Sequence, residues 1–178
     1  MRSRPIFWTV AAATLTIYAV MLVWSMPFIS GEADGQTVFD MRPGGYTFEE
    51  ARAFLRALSP EGAKFYAAVQ HRLDIAYPAL LALTLGWSIH LLTPKGWGVA
   101  RLALPAIALP GMVFDYWENI DVAAMLKAGP DGVTPAMVAA ASFHSQVKAA
   151  STTVAMSLLL ILLMVWATRR WRKTGNRV

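Results

Sequence analysis

Residues 102–124 read LALPAIALPGMVFDYWENIDVAA. The first half is apolar and interrupted only by Pro105 and Pro110-Gly111, whereas the second half sets Asp115, Glu118 and Asp121 on the continuation of the same helix. A helix needs roughly 20 residues to cross about 30 Å of hydrocarbon, so the stretch has the length of a membrane span. Charged groups at such depth are costly; they face a bundle interior or a water-filled cavity and pair with one another. One reading reconciles the two halves: a span within a helical bundle whose outer third holds a cluster of polar side chains.

The rest of the chain is consistent with that reading. Of 178 residues, 56% are hydrophobic and 15% charged, far from soluble-domain usage, which predicts an integral membrane protein. There is no cysteine, so disulfides, thiolate metal sites and cysteine nucleophiles are excluded. The net charge of +5 sits at the ends of apolar runs rather than on a basic face, which makes it a topology signal and excludes nucleic acid as a partner.

Four apolar runs predict spans at about 6–29, 73–92, 102–126 and 135–168 within one membrane domain, 1–178. The first resembles a signal peptide, but its core is long and SMPFISGEA offers no clear small-x-small site, so it is expected to stay as an anchor. Arg2 and Arg4, Lys95 and Arg101, and the tail Arg169, Arg170, Arg172, Lys173 and Arg177 occupy three flanks that contain no acid. Lys and Arg accumulate on cytoplasmic flanks, so both termini are expected there. The opposite segment holds a capping box, Thr47-Phe48-Glu49-Glu50, followed by Phe48, Ala51, Phe54, Leu55 and Leu58 at helical spacing. This predicts an amphipathic helix at about 48–58 capping the outer face. The fold class is therefore all-α: an integral membrane four-helix bundle with an interfacial cap.

Counting about 1.5 Å per residue from Arg101 places Asp115 about 21 Å deep, Glu118 about 25 Å and Asp121 about 30 Å. The same count from Lys95 and Arg169 puts Asp74 and Lys148 each at about 31 Å, and His71 and His144 at about 36–37 Å. Three helices thus bring ionisable groups to one level. Asp115, Glu118 and Asn119 share a face, as do His71 and Asp74, and His144 and Lys148. Lys148 is the expected counter-ion of Asp115 or Glu118, with Arg72, Asp74, Tyr116, Ser151 and Thr152 as further members. Pro105 and Pro110 are expected to kink the helix beneath this cluster. His90 belongs near the inner interface.

The stretch YTFEEARAFLRALSPEGAKFYAAVQHRLDIAYPAL, with FDYWEN in the third run, resembles a family of small four-helix bacterial inner-membrane proteins with no established activity. The resemblance covers residues of about 45 to 120 and rests on the YT-x-E-E helix, the Gly62 to Tyr66 turn-in, Asp74 before Pro78, and Asp115 with Glu118-Asn119. It implies a bacterial inner membrane, in which the charge pattern makes residues 30–70 periplasmic, and brings no reaction or cofactor with it. Three functions fit the residues. The cluster could be an ion-pair network in a structural or accessory subunit with a protein partner or as a homo-oligomer. It could line a site for a lipid or a cationic small molecule. His71, Asp115, Glu118 and His144 could hold a metal for lipid hydrolysis, although no H-E-x-x-H or similar motif is present.

Overall fold

The computed structural model describes residues 3–175; Arg2 and Arg177 of the basic flanks, and the side chain of Lys173, lie outside the described residues. Among the described residues the chain is all-helical and has no strand. Three helices are long and apolar enough to cross a membrane: Arg4–Gly31, Pro60–Leu92 and Pro135–Arg172.

The first consists of α1 (Ser3–Val20), a π-helical turn (Met21–Ser25) and α2 (Met26–Gly31). Asp34 and Gly35, both at positive φ, then reverse the chain into the outer segment. There a 3-10 turn (Phe39–Met41) precedes α3 (Phe48–Ala57). Thr47 and Glu50 start α3 as a capping box: the Glu50 amide donates to Thr47 Oγ1 at 3.2 Å, and the Thr47 amide donates to Glu50 Oε2 at 2.7 Å. The apolar stripe of α3 buries Ala51, Phe54 and Leu55, and Phe39 packs edge-on against Phe54 at 4.7 Å. From its other face Arg52 reaches the Pro130 carbonyl at 2.9 Å and Asp131 at 3.3 Å.

Ser59 begins the second long helix by accepting the Gly62 amide at 2.9 Å, with Pro60 in the first turn where no N–H is needed. That helix runs through α4 (Pro60–Phe65), a second π turn (Tyr66–Gln70) and α5 (His71–Leu92). The third apolar run is where the chain departs from the simple picture. It divides into α6 (Ala100–Ala103), a 3-10 segment (Leu104–Ala108) and α7 (Leu109–Gly132). Pro105 and Pro110 sit in the opening turns of the last two pieces, where a missing N–H is tolerated. They restart a segmented helix instead of bending a continuous one. With four acids and Lys127 on it, α7 is not among the helices apolar enough to span by composition. Gly129, at φ 67°, breaks it before Pro130, and α8 (Pro135–Gly175) then returns, its start capped by Thr134 accepting the Met137 amide at 3.3 Å.

In the packing, α7 lies along α8 and α5, α1 lies along α5, and α3 roofs α7 and α8. Helices α1 and α8 make no comparable interface with each other. The outer half encloses a core of large side chains including Ile29, Phe39, Phe54, Tyr66 and Met125. The inner half has only a small cluster, Ala82, Leu85, Ala108 and Ala155.

Candidate functional site

The two π turns lie side by side and begin the site. A π turn widens the helix by closing i→i+5 hydrogen bonds, and such turns often mark functional positions. Here Ser25 Oγ donates to Gln70 Oε1 at 2.6 Å, and Gln70 Nε2 donates to Asp74 Oδ1 at 3.0 Å, one helical turn further on. Ser25 and Gln70 are fully buried and Asp74 is nearly so. Buried polar groups need such partners, and this chain supplies them between the first two long helices.

Helix α7 presents its polar face to the same level from the other side. Asn119 Nδ2 donates to the Asp74 carbonyl at 3.0 Å, and Tyr116 donates to the Ile75 carbonyl at 2.9 Å, fastening α7 to the backbone of α5. Next to Asn119 in the chain, Glu118 is wholly buried. Its Oε1 accepts from Ser145, its Oε2 meets the Lys148 ammonium, and Lys148 Nζ lies 3.7 Å from Asp115 Oδ1. Ser145 and Lys148 stand three residues apart on α8, so one helix face provides both partners.

The outer segment closes over these groups. Tyr66 donates to Asp40 Oδ2 at 2.5 Å, and the Tyr46 amide donates to Ser142 Oγ at 2.9 Å. Burial, and then the neighbouring Glu118, push the Tyr46 phenol above its usual range, so it stays protonated. Below this roof a cavity of about 560 Å³ lies between α1 and α8. Asp40, Asp74, Asp115 and Lys148 line its polar part; Tyr18, Met21, Tyr77, Met156 and Leu160 are among its remaining walls. Three carboxyls therefore face one space in which the single ammonium is already engaged by Glu118 and Asp115.

The structure thus brings Asp74, Asp115, Glu118, Asn119 and Lys148 together, with Thr152 on the cavity wall. It does not bring in His71, Arg72 or His144. His71 is half-buried and Arg72 exposed, and neither has a hydrogen bond or ion pair among the described residues. His144 turns to Asp121, 2.6 Å away, in a separate group with Phe114, Trp117 and Phe143. Of the four residues considered for a metal, Asp115 and Glu118 share Lys148, His144 pairs with Asp121, and His71 joins neither group. Among the described residues no group of three or more His, Asp or Glu is arranged to hold a metal ion. His90 exchanges contacts with Arg101, its Nδ1 lying 3.2 Å from the Arg101 carbonyl and its own carbonyl accepting from Arg101 Nε at 3.4 Å.

Sequence reasoning missed Ser25, Asp40, Tyr66, Gln70 and Ser145. Gln70 stands four residues before Asp74 and Ser145 three before Lys148, so helical spacing could have found both. Asp40 comes from the outer loop and had no local signal.

Fold and site together define an all-helical protein with three membrane-competent helices and a buried carboxylate and lysine cluster beneath a folded cap. No family model, curated protein or solved structure matches the chain.

Proposed function

We propose that this is an integral protein of the bacterial inner membrane that binds an amphiphile with a cationic head. In this reading the helices form a capped four-helix bundle, as in the small family that the sequence resembles, and the Lys and Arg flanks put both termini in the cytoplasm and residues 30–70 in the periplasm. One observation carries the binding function: the 560 Å³ cavity between α1 and α8 combines three carboxyls with aromatic and aliphatic walls. An excess of acid in a low-dielectric site favours a positively charged group, and apolar walls with few convergent polar groups suit a lipid-like body. Because α1 and α8 are separated, such a molecule has a lateral route from the surrounding lipid.

Native mass spectrometry of the protein released from its own membrane in mild detergent tests this. A lipid-sized mass surplus that is lost in Asp115→Asn is the expected result; a bare chain mass in the parent protein overturns it.

A second reading has its own support. Glu118, Ser145 and Lys148 join α7 to α8 with no opening needed, as a structural or accessory subunit would require. Interhelical polar contacts of this kind specify which helices pack together. A second polypeptide, or another copy of the chain, retained in the same spectra without a small-molecule surplus would favour it.

A further inference from the structure

A second charged cavity lies at the other end of the molecule. It measures about 450 Å³ and is formed by the end of α5, the turn after it, and the last turns of α8. Leu91, Leu92, Val165 and Trp166 make its apolar wall; Lys95, Arg101, Arg169 and Arg170 make its rim. No acid lines it, and the sequence has no Asp or Glu between Asp74 and Asp115 or after Asp131.

The four cations are not equally engaged. Arg101 donates to the His90 carbonyl, and Arg170 lies over the Trp166 ring, 5.4 Å from its centroid. Lys95 and Arg169 have neither a hydrogen bond nor an ion pair among the described residues. Like charges around one cavity repel, and an anion seated between them removes that repulsion. Guanidinium and ammonium groups together suit a phosphate, the guanidinium by its paired N–H donors and the ammonium as a point charge. Ile161 and Leu163, about one turn back along α8 from Val165 and Trp166, are exposed, so apolar surface adjoins the cavity and a free anion would leave its apolar wall uncovered.

We propose that this cavity binds an anionic phospholipid, its phosphodiester between Lys95 and Arg169 and its acyl chains along Leu91, Leu92 and Val165. Basic cavities between helices on the cytoplasmic side recognise such head groups, and the flanking tryptophans suit the interface. The proposal rests on the membrane reading above and is independent of the outer cavity.

The test uses the full chain in mild detergent doped with equal amounts of phosphatidylglycerol and phosphatidylcholine of different acyl mass, read by native mass spectrometry. The parent protein should retain one phosphatidylglycerol in preference to phosphatidylcholine by roughly tenfold, and Lys95→Gln with Arg169→Gln should abolish the preference. Lys95→Arg with Arg169→Lys should keep it, which separates loss of charge from loss of fold. Arg4→Gln with Arg172→Gln, an equal loss of charge outside the cavity, should also keep it. Equal loss in both Gln pairs would overturn the site in favour of diffuse surface charge. Displacement of the lipid by millimolar inorganic phosphate would overturn it in favour of a small-anion site. Release of the chain from membranes by alkaline carbonate would instead overturn the membrane reading on which the proposal stands.

Discussion

The outer and inner halves of this molecule are built by different rules. The outer half resembles a soluble domain: Phe39, Phe54, Ile29 and Met125 are fully enclosed, and polar groups are paired across five chain segments. The inner half encloses Ala82, Ala108 and Ala155 with Leu85 and Ile89, and leaves Leu83, Leu102, Leu160 and Ile161 exposed. Its helices approach through small residues: the Gly86 position is close to the Pro105 carbonyl, and the Gly111 position to Thr152. In the membrane setting proposed above, lipid offers no hydrophobic gain in helix contact, and close backbone approach takes its place. The contrast teaches that large enclosed side chains and paired polar groups are concentrated in the outer half, while the inner half is held by smaller contacts.

The comparison can be broken at several points. Lys148→Met leaves Glu118 buried without its cation, and should cost about 3–5 kcal/mol. Lys148→Met with Glu118→Gln should recover most of that loss in thermal unfolding in detergent; equal melting of parent, single and double variants would remove the ion pair from the account. In the inner half, Gly111→Val forces side-chain carbon against Thr152 Oγ1, which a Cβ alone would approach to 2.7 Å. Overpacking there should cost about 1–3 kcal/mol and loosen α7 from α8, read by the same melts.

Smaller effects sharpen the picture at the edges. Thr47→Ala removes the cap of α3 and should cost about 1 kcal/mol, with protease sensitivity appearing first near residues 47–58. The Thr47 backbone amide, then the Thr47 side chain, hold the Glu50 carboxyl below its ordinary value. A carboxyl lowered by folding stabilises above its unfolded pKa, and that contribution disappears as pH falls through the folded value. The stability difference between the parent and Glu50→Gln should therefore close on acidification; a difference that stays constant would show that the charge is not involved. Ile161→Ala, on the exposed flank of α8, should change stability by no more than about 0.5 kcal/mol.

The helical class was legible because long apolar runs and capping signals are local. Thr47 to Glu50, Ser59-Pro60 and Thr134-Pro135 each start a helix in the structure for reasons visible within four residues. The segmented third run was less legible, since proline in a first turn and proline within a helix look alike until the turn boundaries are known. At the site, depth counting put Asp74, Asp115, Glu118 and Lys148 on one level, and these do meet. The same count put His71 and His144 there as well, but rise along an axis says nothing about rotation around it. Pairing of His144 with Asp121 is a matter of rotation, and Asp40 arrives through a loop whose path no periodicity encodes.

The paired π turns have a further consequence, for insertion and deletion. Each holds one residue more than a regular turn would, so the helices around Met21–Ser25 and Tyr66–Gln70 carry matched single-residue insertions. Removing one residue from only one of them would rotate everything beyond it by about 100° relative to its neighbour. Tyr18 and Tyr77, now stacked 5.7 Å apart, would then face different directions, and Ser25 and Gln70 would no longer meet. Length changes in these two helices are thus tied to each other, and related chains should gain or lose the two residues together.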